Sequence, residues 1–143
     1  MLFVCYPKCS TCMKAKKWLE EKEIEFDVDM MDVEYLGNEN LICHVWDNLL
    51  SNAIKFSPCG GTIYIRMMPE GEKIRFSIEN EGPQIREDSM KHIFDKFYQG
   101  DSSHKQEGNG LGLALVKQIL NLCMGTVSVE NIPGSGCRFT VIL

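Results

Sequence analysis

Two periodicities divide this chain into elements. In NLICHVWDNLLSNAIKF, apolar residues recur at helical spacing, with Leu41, Val45, Leu49, Ala53 and Phe56 on one face. That pattern predicts a long amphipathic helix, and SPCGG ends it because Pro58 and the two glycines break helices. IEFDVDM alternates apolar with acidic residues, the mark of a half-buried strand. TIYIRMM and IRFSIEN flank the turn PEGEK and predict a β-hairpin, and TVSVEN and CRFTVIL do the same around IPGSG. LGLALVKQILNLC reads as a helix starting directly after glycines, and MKHIFDKFY as a short helix. EGPQIREDS is irregular, and QGDSSHKQEGNG has no apolar face. At the start, LFVCY is a short strand, and Ser10 or Thr11 caps a helix through CMKAKKWLEEKE with Ala15, Trp18 and Leu19 at helical spacing. The order is strand, helix, strand, helix, hairpin, helix, helix, hairpin. It implies an α/β two-layer sandwich, helices on one face of a mixed sheet.

Composition narrows the class. With 143 residues, 44% hydrophobic and 24% charged, the chain is expected to be one compact domain, or a domain with a small appendage, and to bury a substantial core. A net charge of −5 argues against a general nucleic-acid or anionic-membrane surface, since no basic excess neutralises phosphates, but it leaves room for a single nucleotide. LFVCY is too short for a signal-peptide core, and no apolar run approaches the roughly 18 residues of a membrane span. The seven cysteines, an odd count, fit a reduced cytoplasmic setting in which Cys43, Cys59, Cys123 and Cys137 serve as small apolar side chains.

Four stretches carry candidate chemistry: NLLSNAIKFS, IENEGPQI, IFDKFYQGD and GNGLGLALVKQI. Asn48 and Asn52 are four apart and share a helical face, with Lys55 three further on. Two amides and an ammonium in one stripe suit a cation-plus-phosphate site, because an amide oxygen is a hard ligand for Mg2+ and lysine meets phosphate oxygens. The blander alternative is polar positions on a solvated helix face. Gly108, Gly110 and Gly112 let backbone approach a ligand at a helix start that offers free N–H groups, and Gly82 does so after a strand; glycine-rich loops also occur without any ligand.

In their order and in the secondary structure between them, these stretches resemble the N, G1, F and G2 boxes of the ATP-binding catalytic domain of sensor histidine kinases, in the GHKL ATPase/kinase superfamily with its Bergerat fold. The resemblance runs from about residue 20 to the C-terminus. It implies Mg2+ and ATP as ligands, with Asn52 as the metal ligand and Asn48 its companion one turn earlier. In the ATP-hydrolysing branches a glutamate stands at the Asn48 position, and its absence here fits a kinase, which keeps the γ-phosphate for another acceptor. Lys55 is implied to contact phosphate and Phe56 to pack on adenine, where the family often has tyrosine. Asn80 replaces the aspartate that accepts from the adenine amino group, and Gln84 replaces the second glycine of the G1 box. Ile85, Leu111 and Leu113 are implied as walls of the adenine pocket. Phe94 and Phe97 are implied as anchors of a lid over 99–109 that includes Lys105, with Lys96 facing phosphate and Tyr98 among the nucleotide contacts. The phosphoacceptor histidine of this family lies on a separate dimerisation domain. His44, His92 and His104 lack its sequence context, so the acceptor is expected in trans or elsewhere in a parent protein. A stand-alone GHKL serine kinase of the anti-sigma-factor type is the alternative within the superfamily.

The opening YPKCSTCMKAKKWL resembles the first strand, cysteine loop and helix of the arsenate-reductase-like thioredoxin fold. That resemblance covers about residues 1–30 and implies Cys9 as a low-pKa nucleophile and Cys12 as its resolving partner. It supplies the alternative of a dithiol redox module. It also leads to the expectation of a chimera, a thioredoxin-like β-α piece at 1–30 joined to a kinase-like domain at 31–143, its strand added to the ATP-binding sheet.

Overall fold

The computed structural model describes residues 2–4, 23–31, 34–95 and 112–143. Seven strands are described: β1 (Leu2–Val4), β2 (Glu25–Met30), β3 (Glu34–Leu36), β4 (Thr62–Glu70), β5 (Lys73–Glu81), β6 (Thr126–Asn131) and β7 (Gly136–Ile142). The described helices are α1 (Glu39–Phe56), α2 (Glu87–Met90) and α3 (Gly112–Leu122).

Five strands form one mixed sheet in the order β2-β4-β5-β7-β6. β2 runs parallel to β4, and the other neighbours are antiparallel. A parallel pair needs a long crossover, and α1 supplies it. The β4–β5 hairpin closes through Gly71 and Glu72, with Glu70 opposite Lys73 and Gly71 at φ +63°. Alternate residues Ile63, Ile65 and Met67 of β4, Ile74, Phe76 and Ile78 of β5, and Phe139 and Val141 of β7 are buried. They join Ile42, Val45, Trp46 and Leu49 of α1 and Val116, Ile119 and Leu120 of α3 in one core. The expected two-layer α/β sandwich is thus the observed architecture.

Four expectations need correction. The N-terminal strand does not enter the main sheet: β1 pairs antiparallel with β3 in a separate two-stranded sheet, Leu2 opposite Leu36 and Val4 opposite Glu34. The position beside β4 is taken by β2, paired with it from Glu25–Thr62 to Met30–Met67. The helix expected over MKHIFDKFY lies earlier, at Glu87–Met90, and residues 91–94 form turns. Phe56 leaves the apolar face of α1 and is 39% exposed, while Trp46 and Ile42 join the core. The four cysteines read as small apolar side chains also divide: Cys137 is buried and Cys123 half-buried, but Cys59 is exposed and Cys43 is disulfide-bonded.

Candidate functional site

Helix α1 is the platform. Asn38 caps its start, its Oδ1 accepting from the Leu41 N–H at 3.2 Å. At its end the Ser57 hydroxyl donates to the Ala53 carbonyl at 2.7 Å, and the Ser57 N–H reaches the Ala53 and Ile54 carbonyls. These bonds satisfy carbonyls that a helix end leaves open, and they fix the turn carrying Asn52, Lys55 and Phe56. Because Val45, Leu49 and Ala53 hold the adjacent face in the core, the Asn48 and Asn52 stripe lies half-buried at the boundary of the layer.

The Asn48 Nδ2 donates to the His44 carbonyl of its own helix at 2.7 Å. Its Oδ1 faces the start of α3, where a Cβ on Gly112 would lie 3.0 Å from it. Lys55 is half-buried with Nζ 5.6 Å from the Phe56 ring centroid.

The end of β5 meets the end of α1. Gly82 has φ +134°, and a Cβ there would stand 2.5 Å from the Phe56 carbonyl oxygen. Both the backbone conformation and the close approach therefore require glycine. Two residues earlier, Asn80 is 1% exposed. Its Nδ2 donates to the Glu81 carbonyl at 3.1 Å, and its Oδ1 accepts from the thiol of Cys137, its cross-strand neighbour on β7, at 3.5 Å. Burial, and secondarily the negative charge of Glu79, pushes the Cys137 thiol up from its ordinary value to about 11, so it stays a protonated donor.

Beyond Gly82 the chain is held by an amide clamp. Asn131 at the end of β6 accepts from the Ile85 N–H through Oδ1 and donates to the Ile85 carbonyl through Nδ2, both at 2.8 Å. Gln84 adds a bond from Nε2 to the Ile132 carbonyl at 3.0 Å. Ile85 and Leu113 are half-buried against the core. Phe94 stands edge-on to Phe139 with centroids 6.3 Å apart, and the Lys117 ammonium lies 5.9 Å from the Phe94 ring centroid.

Three of the four motif stretches thus converge on the second half of α1. Of the remaining site candidates, Lys96, Phe97, Tyr98, the 99–109 segment with Lys105, Gly108, Gly110 and Leu111 lie outside the described residues, as do Cys9, Cys12 and His104. His44 is exposed on α1, and the His92 Nδ1 lies 2.9 Å from the Asp95 carboxylate. Two residues that sequence reasoning missed help to shape the site: Asn131, which clamps Ile85, and Cys137, which bonds Asn80. The Asn131 contact spans 46 positions and the Cys137 contact 57, and neither residue sits in a local pattern that marks it.

Known proteins resemble this chain in sequence and in fold. The family described as histidine kinase-, DNA gyrase B-, and HSP90-like ATPase matches residues 37–143. The heme sensor protein HssS of Staphylococcus saprophyticus is 34% identical over 121 residues, covering 85% of this chain and 26% of that protein. The chain therefore spans about a quarter of the length of that relative. Among solved structures, the mycobacterial sensor histidine kinase MprB superposes with a TM-score of 0.82 at 26% identity, over 93% of this chain and 91% of that one. Full-length ShkA in complex with AMPPNP superposes with a TM-score of 0.78 at 25% identity, over 99% of this chain and 30% of that one. Histidine-kinase likeness thus extends over almost the whole chain, and the thioredoxin-type chimera expected for residues 1–30 is not borne out. The chain belongs to the histidine kinase-, DNA gyrase B- and HSP90-like ATPase family, as an ATP-binding catalytic domain of the sensor histidine kinase type.

Proposed function

We propose that this domain binds Mg·ATP between α1, the end of β5 and the start of α3, and passes the γ-phosphate to a histidine on a dimerisation domain outside this chain. The observation that carries the reading is the meeting of three motif stretches on α1: Asn48 against Gly112, Phe56 against Gly82, and Asn80 buried just before Gly82.

The residues present fit the ligands. Mg2+ bound to a nucleotide needs only one or two protein oxygens beside phosphate and water, and the Asn52 amide supplies one. Asn48, its Nδ2 committed to its own helix, keeps its Oδ1 beside Gly112 as companion. An amide does not take a proton from water, so Asn48 provides no base for hydrolysis, and the γ-phosphate is kept for transfer. Lys55 meets phosphate, with Lys96 assigned the same task from the F-box stretch. The exposed Phe56 ring offers a face for adenine, Asn80 an acceptor for its amino group, and Ile85, Leu111 and Leu113 the apolar walls. Gly108, Gly110 and Gly112 bring backbone N–H groups to the phosphates, and Tyr98 and residues 99–109 cover them. Among the described residues no helix is long and apolar enough to cross a membrane. We place the domain in the cytoplasm, where Mg·ATP is available.

Calorimetric titration of ATP tests the reading, with and without Mg2+, into wild type and Asn52→Ala. Binding by wild type should strengthen with Mg2+, and Asn52→Ala should lose about tenfold or more in the Mg2+-dependent affinity. A folded wild-type chain that binds no ATP at millimolar concentration overturns it.

A further inference from the structure

We infer that Cys137 is the positioning residue for purine selection: its S–H and the Glu81 carbonyl together fix the amide of Asn80 so that Oδ1, not Nδ2, is presented to the base. The inference rests on the ATP-binding reading above and deepens it.

Asn80 and Cys137 are directly opposed on β5 and β7, and both are buried, at 1% and 4% exposure. An asparagine amide has a donor end and an acceptor end of nearly equal size, so its orientation follows from its neighbours. Here two neighbours agree. The Glu81 carbonyl only accepts, and it takes a hydrogen from Nδ2 at 3.1 Å. The Cys137 thiol donates to Oδ1 at 3.5 Å. Turning the amide over would set Oδ1 against the Glu81 carbonyl and exchange the S–H donation for a weak N–H to sulfur contact. Burial strengthens this preference, because an unmatched polar pair in the interior costs more than one in water.

The orientation has a chemical consequence. Oδ1 has a second lone pair, which accepts from an exocyclic amino group such as that of a 6-aminopurine. A 6-oxopurine brings an acceptor to the same place and is rejected. A carboxylate here would accept at both oxygens whichever way it turned. The neutral asparagine selects only while it is held. The start of β7 is pressed against β5 as well, since any Cβ on Gly136 would overlap the main-chain carbonyl oxygen of Asn80.

The experiment measures ATP and inosine triphosphate affinities by calorimetry in wild type, Cys137→Ser and Cys137→Val. Wild type should prefer ATP by about tenfold, the worth of one good hydrogen bond set against a mismatched one. Cys137→Ser keeps a donor in a smaller side chain, and its preference should stay within about twofold of wild type. Cys137→Val fills the space without a donor, and its preference should fall to about threefold or less. A purely structural role predicts the reverse, with valine harmless and serine costly. Should Cys137→Val fail to fold, Cys137→Ala supplies the donor-free comparison. Wild-type binding of ATP without preference over inosine triphosphate, or a preference unchanged in the donor-free variants, overturns the inference and leaves ATP binding standing. Failure of wild type to bind either nucleotide overturns the ATP-binding reading and this inference with it.

Discussion

At the scale of single residues, the site depends on positions where a side chain is forbidden. Gly82 combines φ +134° with a would-be Cβ 2.5 Å from a backbone oxygen, and a backbone atom cannot swing aside as a side chain can. Gly71 shares the positive φ, at +63°, but has nothing within 4 Å. Gly71 thus carries conformational strain alone, whereas Gly82 combines a φ outside the left-handed helical region with a collision. Gly71→Ala should cost about 1 kcal/mol, the price of a left-handed alanine. Gly82→Ala should cost about 2–4 kcal/mol, and it should weaken ATP binding by displacing Phe56 and Asn80. Urea denaturation with a parallel nucleotide titration measures both; equal stability losses, or unchanged ATP affinity in Gly82→Ala, would show that the β5–α1 junction does not shape the site. The same scale shows what was legible in the sequence. Gly82 stood out as a glycine after a strand, but that its constraint comes from the Phe56 carbonyl is a fact of packing. Phe56 received two incompatible roles from its sequence position, core face and adenine contact, and its exposure excludes the first.

At the scale of elements, long helices and hairpins were readable because each repeats its own period. α3 and both hairpins follow their hydrophobic patterns closely, and α1 forms over its predicted span although Phe56 turns outward and Ile42 and Trp46 enter the core. β1, β3 and α2 are three or four residues long, too short for a period to show. The β1–β3 pairing also joins residues about thirty positions apart, which no local pattern encodes. The link between β6 and the loop after β5 was invisible for the same reason. There, Asn131 takes the place of a strand neighbour for Ile85, bonding both its N–H and its carbonyl. Asn131→Ala leaves both groups unpaired beside half-buried Ile85, at a cost of about 1–3 kcal/mol. The Ile85 amide should then exchange with solvent faster than in wild type, and ATP affinity should fall about threefold or more. Asn121→Ala, at an exposed position on α3, is the control and should change neither. An Ile85 amide as protected in Asn131→Ala as in wild type would remove the clamp from the account of the site.

At the scale of the whole molecule, the order of four motifs along the chain was enough to identify the family, because the fold that carries them brings three of them together at α1. What that order leaves open is the acceptor. The histidines differ in setting: His44 is exposed on α1, where its carbonyl receives the Asn48 amide, and His92 sits against Asp95. Both described histidines are exposed, and the chain covers only 26% of the HssS relative. On the proposed reading, transfer depends on a second domain that brings its histidine to the γ-phosphate, because proximity helps only when an acceptor is aligned with the bound ATP. Incubated alone with γ-labelled ATP and Mg2+, the chain should stay unlabelled. Adding a histidine-bearing dimerisation domain from a sensor kinase should give label on that domain, lost in acid and kept in base as a phosphoramidate requires. Asn52→Ala should abolish the transfer, and chelation of Mg2+ should do the same to wild type. Acid-stable label on a serine would instead assign the chain to serine-directed transfer, and label on the isolated chain itself would show that one of its own histidines reaches the phosphate.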